Sequence, residues 1–506
     1  MQCRRLIAVV LLAGLTATAV RADDAAIRKR IDELEEQQRR FNDELRELRR
    51  QLDQEHPPAA APAAAPAAPA AAPVVAPAAV PAAAPAAPSG VQAAEPQRVE
   101  EVERRQGILT EEIRKIREFL VLPETQELKG YYGLGPAASK VYGVPRGLSI
   151  GGYGEGNVSI ITENANGASD TADLERFVAY LGYKFNEHFV LNSEIEFEHA
   201  TTEGSVSSGD GEVEVEFATL DYLYQPIANA RGGLMLLPVG FLNEVHEPPF
   251  YFGNTRPPVE TQIIPSTWRA IGAGVFGQIL PGLEYKAYGL TSLNAKGYTS
   301  LNLRDARQNG NQERAEDWSF VGRTDYAVLP WWSAGGSLYM GDQGQGEQYG
   351  NEDIGFRKAG VFTQLYEIHT QVATRGLWFR ALGTTALVDD AGILSQDDFI
   401  EQQTKGQPIG KVLLGAYAEV AYDVMPFFLS GTTQYLAPWF RYSWLDTNNK
   451  VAAGFSRDRA ARRDFYEFGL QYKPIPQIVL KADYHIAHAE QGALPSEIQL
   501  GGGFVF

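Results

Sequence analysis

The sequence predicts an all-β fold, a transmembrane β-barrel of about sixteen antiparallel strands, preceded by an α-helical coiled coil and an Ala/Pro-rich linker. Three observations indicate the barrel. After Gly147, apolar and polar residues alternate with a period of two. The connections between the strands are alternately short and long, and the chain ends on Phe506 after an alternating strand. A barrel in lipid combines these features, because its turns, loops and aromatic anchors are sorted by side of the membrane.

Residues 1–22 form a predicted signal peptide. Arg4 and Arg5 precede an apolar run from Leu6 to Ala19, and small residues around Ala22 offer a cleavage site. The single cysteine, Cys3, lies inside this segment, so no disulfide is expected after cleavage. No later stretch reaches the ~18 apolar residues of a membrane-spanning helix, which leaves a barrel as the only spanning structure.

Residues 23–56 predict a coiled coil. Apolar residues recur at alternating steps of four and three, with charged residues between them. The seam is Ile27, Ile31, Leu34, Gln38, Phe41, Leu45, Leu48 and Leu52. The alternative is a single amphipathic helix docked on the barrel, for which this stripe is narrow.

Residues 57–95 consist almost wholly of Ala, Pro and Val, which predicts an extended polyproline II linker. A second helical seam follows in 96–122, running from Val99 to Leu120, and Pro123 ends it. Residues 123–506 are the predicted outer-membrane barrel. The N-terminal part is therefore expected on the periplasmic side.

The alternation predicts individual strands and their direction. Tight connections follow the even strands, at 186–187, 226–230, 281–282, 330–331, 425–426 and 474–476, and they are expected at the periplasmic end together with Phe506. The predicted strands are 148–162, 174–185, 188–201, 212–225, 231–240, 269–280, 283–294, 318–329, 332–342, 358–370, 377–388, 411–424, 427–444, 464–473, 477–487 and 496–506.

The same alternation predicts which side chains face the lumen. They carry both signs of charge, as a water-filled channel requires. For any one of them the alternative is a solvated wall position without a selective role. The predicted pore-lining residues are Arg176, Lys184, Glu194, Glu196, Glu284, Lys286, Arg323, Asp325, Arg380, Arg441, Lys481 and Asp483.

The connection 241–268 differs from the other long loops, because five prolines and several large apolar residues make it too hydrophobic to extend in water. We expect it to fold into the lumen and constrict it. Its charged residues Glu244, His246, Glu247, Arg256 and Glu260 are predicted near the narrowest point. Lys286, Arg323, Arg380, Arg441 and Lys481 are expected to face it across the lumen.

Two stretches resemble a known family. Ser193-Glu-Ile-Glu-Phe-Glu-His-Ala200, and Leu237-Pro-Val-Gly-Phe-Leu-Asn-Glu-Val-His-Glu-Pro-Pro249 with its continuation to Arg269, are similar to the phosphate-selective porin (O/P-like) superfamily, in particular to members with an N-terminal coiled coil. The resemblance implies a trimeric sixteen-stranded porin that takes up small anions or polar solutes. One departure is that inward glutamates interrupt the ladders of Lys and Arg typical of that family.

These observations predict an outer-membrane porin, a passive channel for small polar or anionic solutes such as phosphate or organic acids. The alternative is a structural anchor that tethers the barrel to peptidoglycan through the coiled coil. An enzyme is not expected, because the histidines are scattered without Ser-His or metal-ligand spacing, and neither cofactor nor metal is predicted.

The expected partners follow from location and charge. They are outer-membrane lipid, lipopolysaccharide and further copies of the chain in a homotrimer, with peptidoglycan as a further candidate. Loop acids such as Asp389, Asp390, Asp397 and Asp398 are candidates to face divalent cations bound to lipopolysaccharide. A net charge of −18, almost all of it after residue 122, excludes nucleic acid as a partner.

Overall fold

The computed structural model describes residues 128, 130–163, 167–201 and 211–506. The predicted signal peptide, coiled coil, linker and second helix, residues 1–122, lie outside the described residues. Within the described part, no helix is long and apolar enough to cross a membrane.

The dominant element is a closed antiparallel barrel of sixteen strands, which confirms the predicted fold class. Each strand pairs with its neighbours in sequence, and the last strand pairs with the first and closes the barrel. The strands are β1 Gly147–Glu163, β2 Thr171–Lys184, β3 Phe189–Glu198, β4 Val213–Gln225, β5 Ala228–Leu236, β6 Arg269–Leu280, β7 Leu283–Thr291, β8 Trp318–Leu329, β9 Trp332–Gly341, β10 Thr363–Thr374, β11 Leu377–Val388, β12 Gly410–Tyr422, β13 Tyr435–Val451, β14 Arg462–Ile475, β15 Ile478–Ala489 and β16 Ser496–Val505.

The closing strand ends as its alternation predicts. Phe506 exchanges backbone hydrogen bonds with Gly152 of β1, at the end where the short turns lie. Phe504 and Phe506 stack outside the barrel, whereas Gln499 and Val505 are buried inside it. Closure leaves no unpaired strand edge, which is what a sheet in lipid requires.

Three strand predictions miss the observed bounds by four residues or more. The fifth strand ends at Leu236 instead of residue 240, and the tenth begins at Thr363 instead of residue 358. The thirteenth begins at Tyr435, because 425–426 is no tight turn. Pro426 stands instead in the first turn of a short helix, a position at which proline needs no hydrogen-bond donor.

The remaining elements are short. A hairpin pairs Gln348–Tyr349 with Arg357–Lys358. The helices are α1 Lys140–Gly143, α2 Val259–Gln262, α3 Ala391–Leu394, α4 Asp398–Thr404 and α5 Met425–Phe428, and the 3-10 turns are Pro248–Phe250, Ala295–Gly297, Arg304–Ala306 and Arg459–Ala461.

One expectation for the long loops was wrong. Asp397 does not face outward, because it is buried as the N-cap of α4 and bonds Lys296 at 2.8 Å and the backbone N–H of Gly350 at 3.0 Å. A carboxylate with these partners stabilises the loop and is not free to meet a surface-bound cation.

The outer surface of the barrel is apolar, and the buried core lies inside. Leu148, Ile150, Leu480 and Leu500 are each about half exposed on the outer face. Aromatic residues gather at the short-turn end on the outside, among them Tyr183, Phe185, Phe189, Tyr222, Tyr224, Trp331, Trp332, Tyr422, Phe427 and Phe428. This apolar wall with an aromatic rim is the surface of a protein solvated by lipid.

Candidate functional site in the lumen

The connection between β5 and β6, Leu237–Trp268, folds into the barrel, and we call it the lumen loop. Its neck is held by Asn243, which is fully buried. The Asn243 side-chain amide donates to the carbonyls of Leu237 and Trp268, and its carbonyl oxygen accepts from the Trp268 backbone N–H at 2.6 Å. One side chain thus joins both ends of the loop, and this hydrogen-bonded neck fixes where the loop enters the lumen.

The apolar residues of the lumen loop explain why it lies inside. Val259, Ile263, Ile264 and Trp268 are at most 2 % exposed and belong to the largest buried cluster of the barrel. Burial of each such side chain stabilises the folded loop by about 1.5–3 kcal/mol relative to exposure in water. The hydrophobic effect therefore favours an inward loop over one extended above the barrel.

The barrel wall also makes room for the loop. Gly501 and Gly503 face inward on β16, where a side chain would collide with Asn254 and Pro248 of the loop. The alternating glycines in the last strand therefore permit close approach of the two backbones.

The wall bases bind the lumen loop directly, which corrects the expectation that they face it across open lumen. Lys286 pairs with Glu244, and Arg323 donates to the Gly240 carbonyl. The Arg380 guanidinium stacks on Phe241, 4.4 Å from the ring centre. Arg441 and Lys481 also donate to carbonyls of the loop. Their side chains hold the loop in place.

One end of the loop is fastened to strands β13–β15, which we call the β13–β15 attachment. Arg441, fully buried, meets Glu467 through two hydrogen bonds of 2.6 and 2.8 Å and Glu419 through one of 3.1 Å. Its remaining N–H groups donate to the carbonyls of Phe252 and Thr255, each at 3.1 Å. Such a dense set of short contacts is what a buried charge needs to be stable.

The same attachment includes a second set of contacts one strand further on. Asn254 donates to Asp483 at 2.6 Å, and Lys481 donates to the Gly253 carbonyl at 2.7 Å. The loop is thereby held by backbone and side-chain bonds to two neighbouring wall positions.

The other side of the loop lies against β3 and β4, at a contact we call the β3–β4 attachment. His246 of the loop has its Nε2 atom 3.3 Å from Glu194 Oε1 and 3.3 Å from Glu216 Oε2. Glu196 and Glu214 stand beside them, with guanidinium partners from Arg176 and Arg269. This attachment is acidic, and the contacts of His246 within it are long.

A β-bulge creates this acidic cluster. Glu194 lies opposite Phe217, but the next residue, Ile195, lies opposite Val215, so Glu216 is an extra residue in β4. Both Glu216 and Phe217 consequently point inward and are buried. Phe217, Thr219 and Asp221 point inward, so strict alternation along β4 would point Glu216 outward. Sequence reasoning missed Glu216 for that reason.

A segment before the first strand enters the barrel from the short-turn end. We call Gly130–Gly143 the plug. Leu134, Ala137, Ala138, Val141 and Tyr142 are buried against the inner wall. Their spacing of three and four residues is a helical signal, which a sequence reading could have found.

The plug and the lumen loop meet at Glu247. The Oε1 atom of Glu247 accepts the backbone N–H groups of Ala137 at 2.9 Å and Ala138 at 3.0 Å. Burial raises the pKa of Glu247 to about 7, although these two donors act against the shift. Tyr142 anchors the far end of the plug, donating to Asp221 at 2.7 Å.

A cavity of about 600 Å³ opens beside the plug at the short-turn end. Lys184, Lys286, Glu187 and Glu284 provide its charged lining, with Tyr131, Tyr132 and Tyr142 of the plug. Aromatic and charged groups together suit small polar molecules better than apolar ones.

Every predicted pore-lining residue is on the inner side of its strand, and of the predicted loop residues Glu244, His246, Glu247 and Glu260 are buried in the lumen. Arg256 is partly buried in the loop, with two guanidinium nitrogens lacking a hydrogen bond among the described residues. Whether these residues line a conducting path stays a prediction. Sequence reasoning missed Asn243, Glu216, Arg269 and the plug.

An apolar outer wall around a closed, charged interior defines a transmembrane β-barrel of the outer-membrane type. No family profile matches the sequence. The chain belongs to the same family as an uncharacterized protein of Aquifex aeolicus, with 38 % identity over 376 residues that cover 73 % of this chain and 82 % of the relative.

Solved structures of similar fold include several outer-membrane proteins. A loop-deletion mutant of OmpT from Vibrio cholerae has a TM-score of 0.46 at 11 % identity, covering 72 % of this chain and 100 % of that one. OmpF of Salmonella typhi, in complex with daunomycin, has the same TM-score and identity and covers 72 % and 98 %. An anion-selective porin of Comamonas acidovorans has a TM-score of 0.43 at 11 % identity, covering 71 % and 99 %.

Proposed function

We propose that the protein is an outer-membrane porin, a passive diffusion channel for small polar solutes, among them anions such as phosphate or organic acids. The observation that carries the proposal is the charged inner wall of the closed barrel. A barrel that served only as an anchor would have no need for buried charges of both signs, since they cost free energy to desolvate. A water-filled channel requires such polar and charged side chains along its wall.

The charges of the lumen favour weak ion selectivity. Lys286 is neutralised by Glu244, and Arg441 has two carboxylate partners, Glu419 and Glu467. Arg323 is paired with Asp325 at 2.7 Å. Because the wall bases are matched or outnumbered, we expect neither anions nor cations to be strongly excluded, in spite of the net charge of the chain.

The test is conductance of the purified full chain in a planar lipid bilayer. We expect discrete current steps and, across a KCl gradient, a reversal potential close to zero. Protein heated until its barrel unfolds is the control. Folded protein that gives no current steps would contradict the channel.

Charge reversal at Arg323 should move the reversal potential towards cations, because its guanidinium lies at the inner wall beside the partly exposed Asp325. Reversal at the exposed loop residue Arg459 is the matched control, since salt screens its field within ~8 Å. Equal reversal potentials for both variants would place Arg323 away from the conducting path.

We further propose membership of the phosphate-selective porin superfamily, a homotrimer, contact with lipopolysaccharide and a periplasmic N-terminal part. The resemblance of the 193–200 and 237–269 stretches supports the family and the trimer. Native mass spectrometry in detergent should show three chains. A variant lacking 23–56 tells whether the predicted coiled coil is needed for assembly, and a monomeric full chain would contradict the trimer.

The second candidate is a structural anchor that reaches peptidoglycan through the N-terminal part. The plug and the lumen loop favour it, because both occupy the lumen and meet at Glu247. Conductance separates the two functions. An anchor gives no current steps even after the plug is released, whereas a channel narrowed by the plug conducts more.

A further inference from the structure

The β3–β4 attachment lacks hydrogen-bond partners that its buried carboxylates need. Glu194 and Glu216 are fully buried, and His246 is 2 % exposed. Among the described residues, neither oxygen of Glu216 accepts a hydrogen bond, and the Oε2 atom of Glu194 accepts none. Buried carboxylates without donors are costly, so native structures provide a partner or a bound ion.

The orientation of His246 leaves one ring nitrogen for a ligand. Its Nδ1 atom lies 3.3 Å from the backbone carbonyl of Asn243, which can only accept a hydrogen bond. Nδ1–H donates to this carbonyl, so Nε2, which lies 3.3 Å from a carboxylate oxygen of both Glu194 and Glu216, is the nitrogen that would bind a cation in place of its proton. A backbone carbonyl that fixes the tautomer in this way is a common outer-shell feature of histidine metal ligands.

The spacing of the three groups fits an ion better than it fits hydrogen bonds. The Nε2 atom of His246 lies 3.3 Å from a carboxylate oxygen of each glutamate, which is just beyond the usual range of N–H···O hydrogen bonds. Ligand atoms placed ~2.1 Å from a tetrahedral Zn²⁺ are ~3.4 Å from one another. The ligand atoms of Glu194, Glu216 and His246 all lie within 4.8 Å of one another.

A second buried histidine shows the contrast. His369 bonds Glu367 at 2.7 Å through Nδ1 and Asp325 at 2.8 Å through Nε2. Those short contacts use both ring nitrogens and leave no space for an ion. His246 has the same kind of neighbours at a distance that leaves such a space.

The local charge also calls for a cation. Glu194, Glu196, Glu214 and Glu216 share two guanidinium groups, because Arg269 contacts Glu214 and Glu216 while Arg176 contacts Glu196. Arg176 is also shared with Glu155, Glu175 and Glu198, so the carboxylates outnumber the guanidinium groups paired with them, and a divalent ion would lessen the excess of negative charge.

We propose that Glu194, Glu216 and His246 bind one divalent transition-metal ion, best fitted by Zn²⁺, which fastens the lumen loop to the barrel wall. Two carboxylates and an imidazole suit Zn²⁺, whereas Mg²⁺ and Ca²⁺ prefer oxygen ligands alone. Three protein ligands leave the fourth position to water. The bulge that adds Glu216 is then the feature that builds the site.

The test is metal binding to the full chain, folded in detergent and stripped with EDTA. Isothermal titration with ZnSO₄ should give one ion per chain, and Co²⁺ should show the absorption of a tetrahedral complex. Mg²⁺ and Ca²⁺ should bind more weakly than Zn²⁺. Because the measurement needs only a folded barrel, its outcome is independent of conductance.

Variants assign the site. Glu216→Gln and His246→Gln should each weaken Zn²⁺ binding more than about tenfold, since loss of an outer-shell partner alone weakens metal affinity about 10–100-fold. His369→Gln is the matched control and should leave binding unchanged. Heat-modifiable migration on a gel confirms that each barrel is folded, and His246→Gln, in a loop, serves if the strand variant does not fold.

Three outcomes would overturn the proposal: no Zn²⁺ binding by folded wild-type protein, unchanged binding by folded His246→Gln, or an equal loss in His369→Gln. Tighter binding of Ca²⁺ than of Zn²⁺ would overturn the assigned class of metal.

Discussion

The lumen loop is attached to the barrel in two contrasting ways. At the β13–β15 attachment, Arg441 and its partners Glu419 and Glu467 form hydrogen bonds of 2.6–3.1 Å. At the β3–β4 attachment, His246 is 3.3 Å from two glutamates, and three carboxylate oxygens have no hydrogen bond among the described residues. In the first contact every N–H group of the Arg441 guanidinium has a protein acceptor, although the Oε1 atom of Glu419 accepts no hydrogen bond among the described residues. The second contact leaves more of its carboxylate oxygens without donors, so burial by itself does not tell whether a charged cluster is structural.

The largest change should come from removing the loop and both attachments together. Replacing 244–264 by a short Gly/Ser linker, with the Asn243 neck retained, should raise single-channel conductance several-fold, because the loop crosses from β3 to β15. Deleting the exposed residues Ala453 and Gly454 from the connection after β13 is the control and should change conductance little. Equal conductance of the loop variant and wild type would mean that the loop does not obstruct the path.

The next largest effect should come from replacing Arg441, the central base of the β13–β15 attachment. Arg441→Met leaves Glu419 and Glu467 buried without their partner and should lower the free energy of unfolding by about 3–5 kcal/mol. Urea unfolding of the barrel in lipid vesicles measures it. Arg459→Met, at an exposed ion pair, should change stability by less than about 0.5 kcal/mol. An equally small loss of stability in Arg441→Met and Arg459→Met would show that the β13–β15 attachment does not stabilise the barrel.

A smaller effect is expected where the loop holds the plug. Glu247→Leu leaves the backbone N–H groups of Ala137 and Ala138 without acceptors, and because the plug can withdraw and expose them to water, the loss of stability should stay at about 1–3 kcal/mol, the cost of one unsatisfied group. The plug should then become sensitive to added protease and conductance should rise. Glu187→Leu, at a short turn of the same end, is the control. Protection of the plug equal to wild type would contradict this contact.

The smallest effect distinguishes the two attachments by whether loss of a glutamate charge raises or lowers the free energy of unfolding. Without metal, Glu216→Gln should leave the free energy of unfolding unchanged or raise it by about 1 kcal/mol, since within the described part of the chain the buried carboxylate has only the 3.3 Å contact with His246 and the 3.5 Å contact with Arg269 and is replaced by a neutral amide. Glu467→Gln, in the β13–β15 attachment, should lower the free energy of unfolding, because Arg441 loses a charged acceptor. Urea unfolding in EDTA measures both, and destabilisation of the same size in both would make the two attachments equivalent.

The sequence by itself determined the barrel, its closure and the facing of its walls. A period of two is a local property, so Arg441, Lys481 and Asp483 could be assigned inward from their own strands. Loop lengths and the final aromatic gave the direction of the strands in the same local way. Pro426 shows the limit, because an apolar run after a proline looks like a strand start when it begins a helix.

Only the tertiary structure decided what the inward residues do. Glu216 enters the lumen through a bulge, which breaks the period that sequence reasoning follows. Lys481 and the Gly253 carbonyl are 228 positions apart, and Glu247 and Ala137 are 110 apart. Such contacts arise when the loop and the plug are buried in one confined space, where each polar group must find a partner wherever the chain brings one. The alternation within one strand does not identify a partner so far away in the sequence, so the two attachments became visible only in the folded barrel.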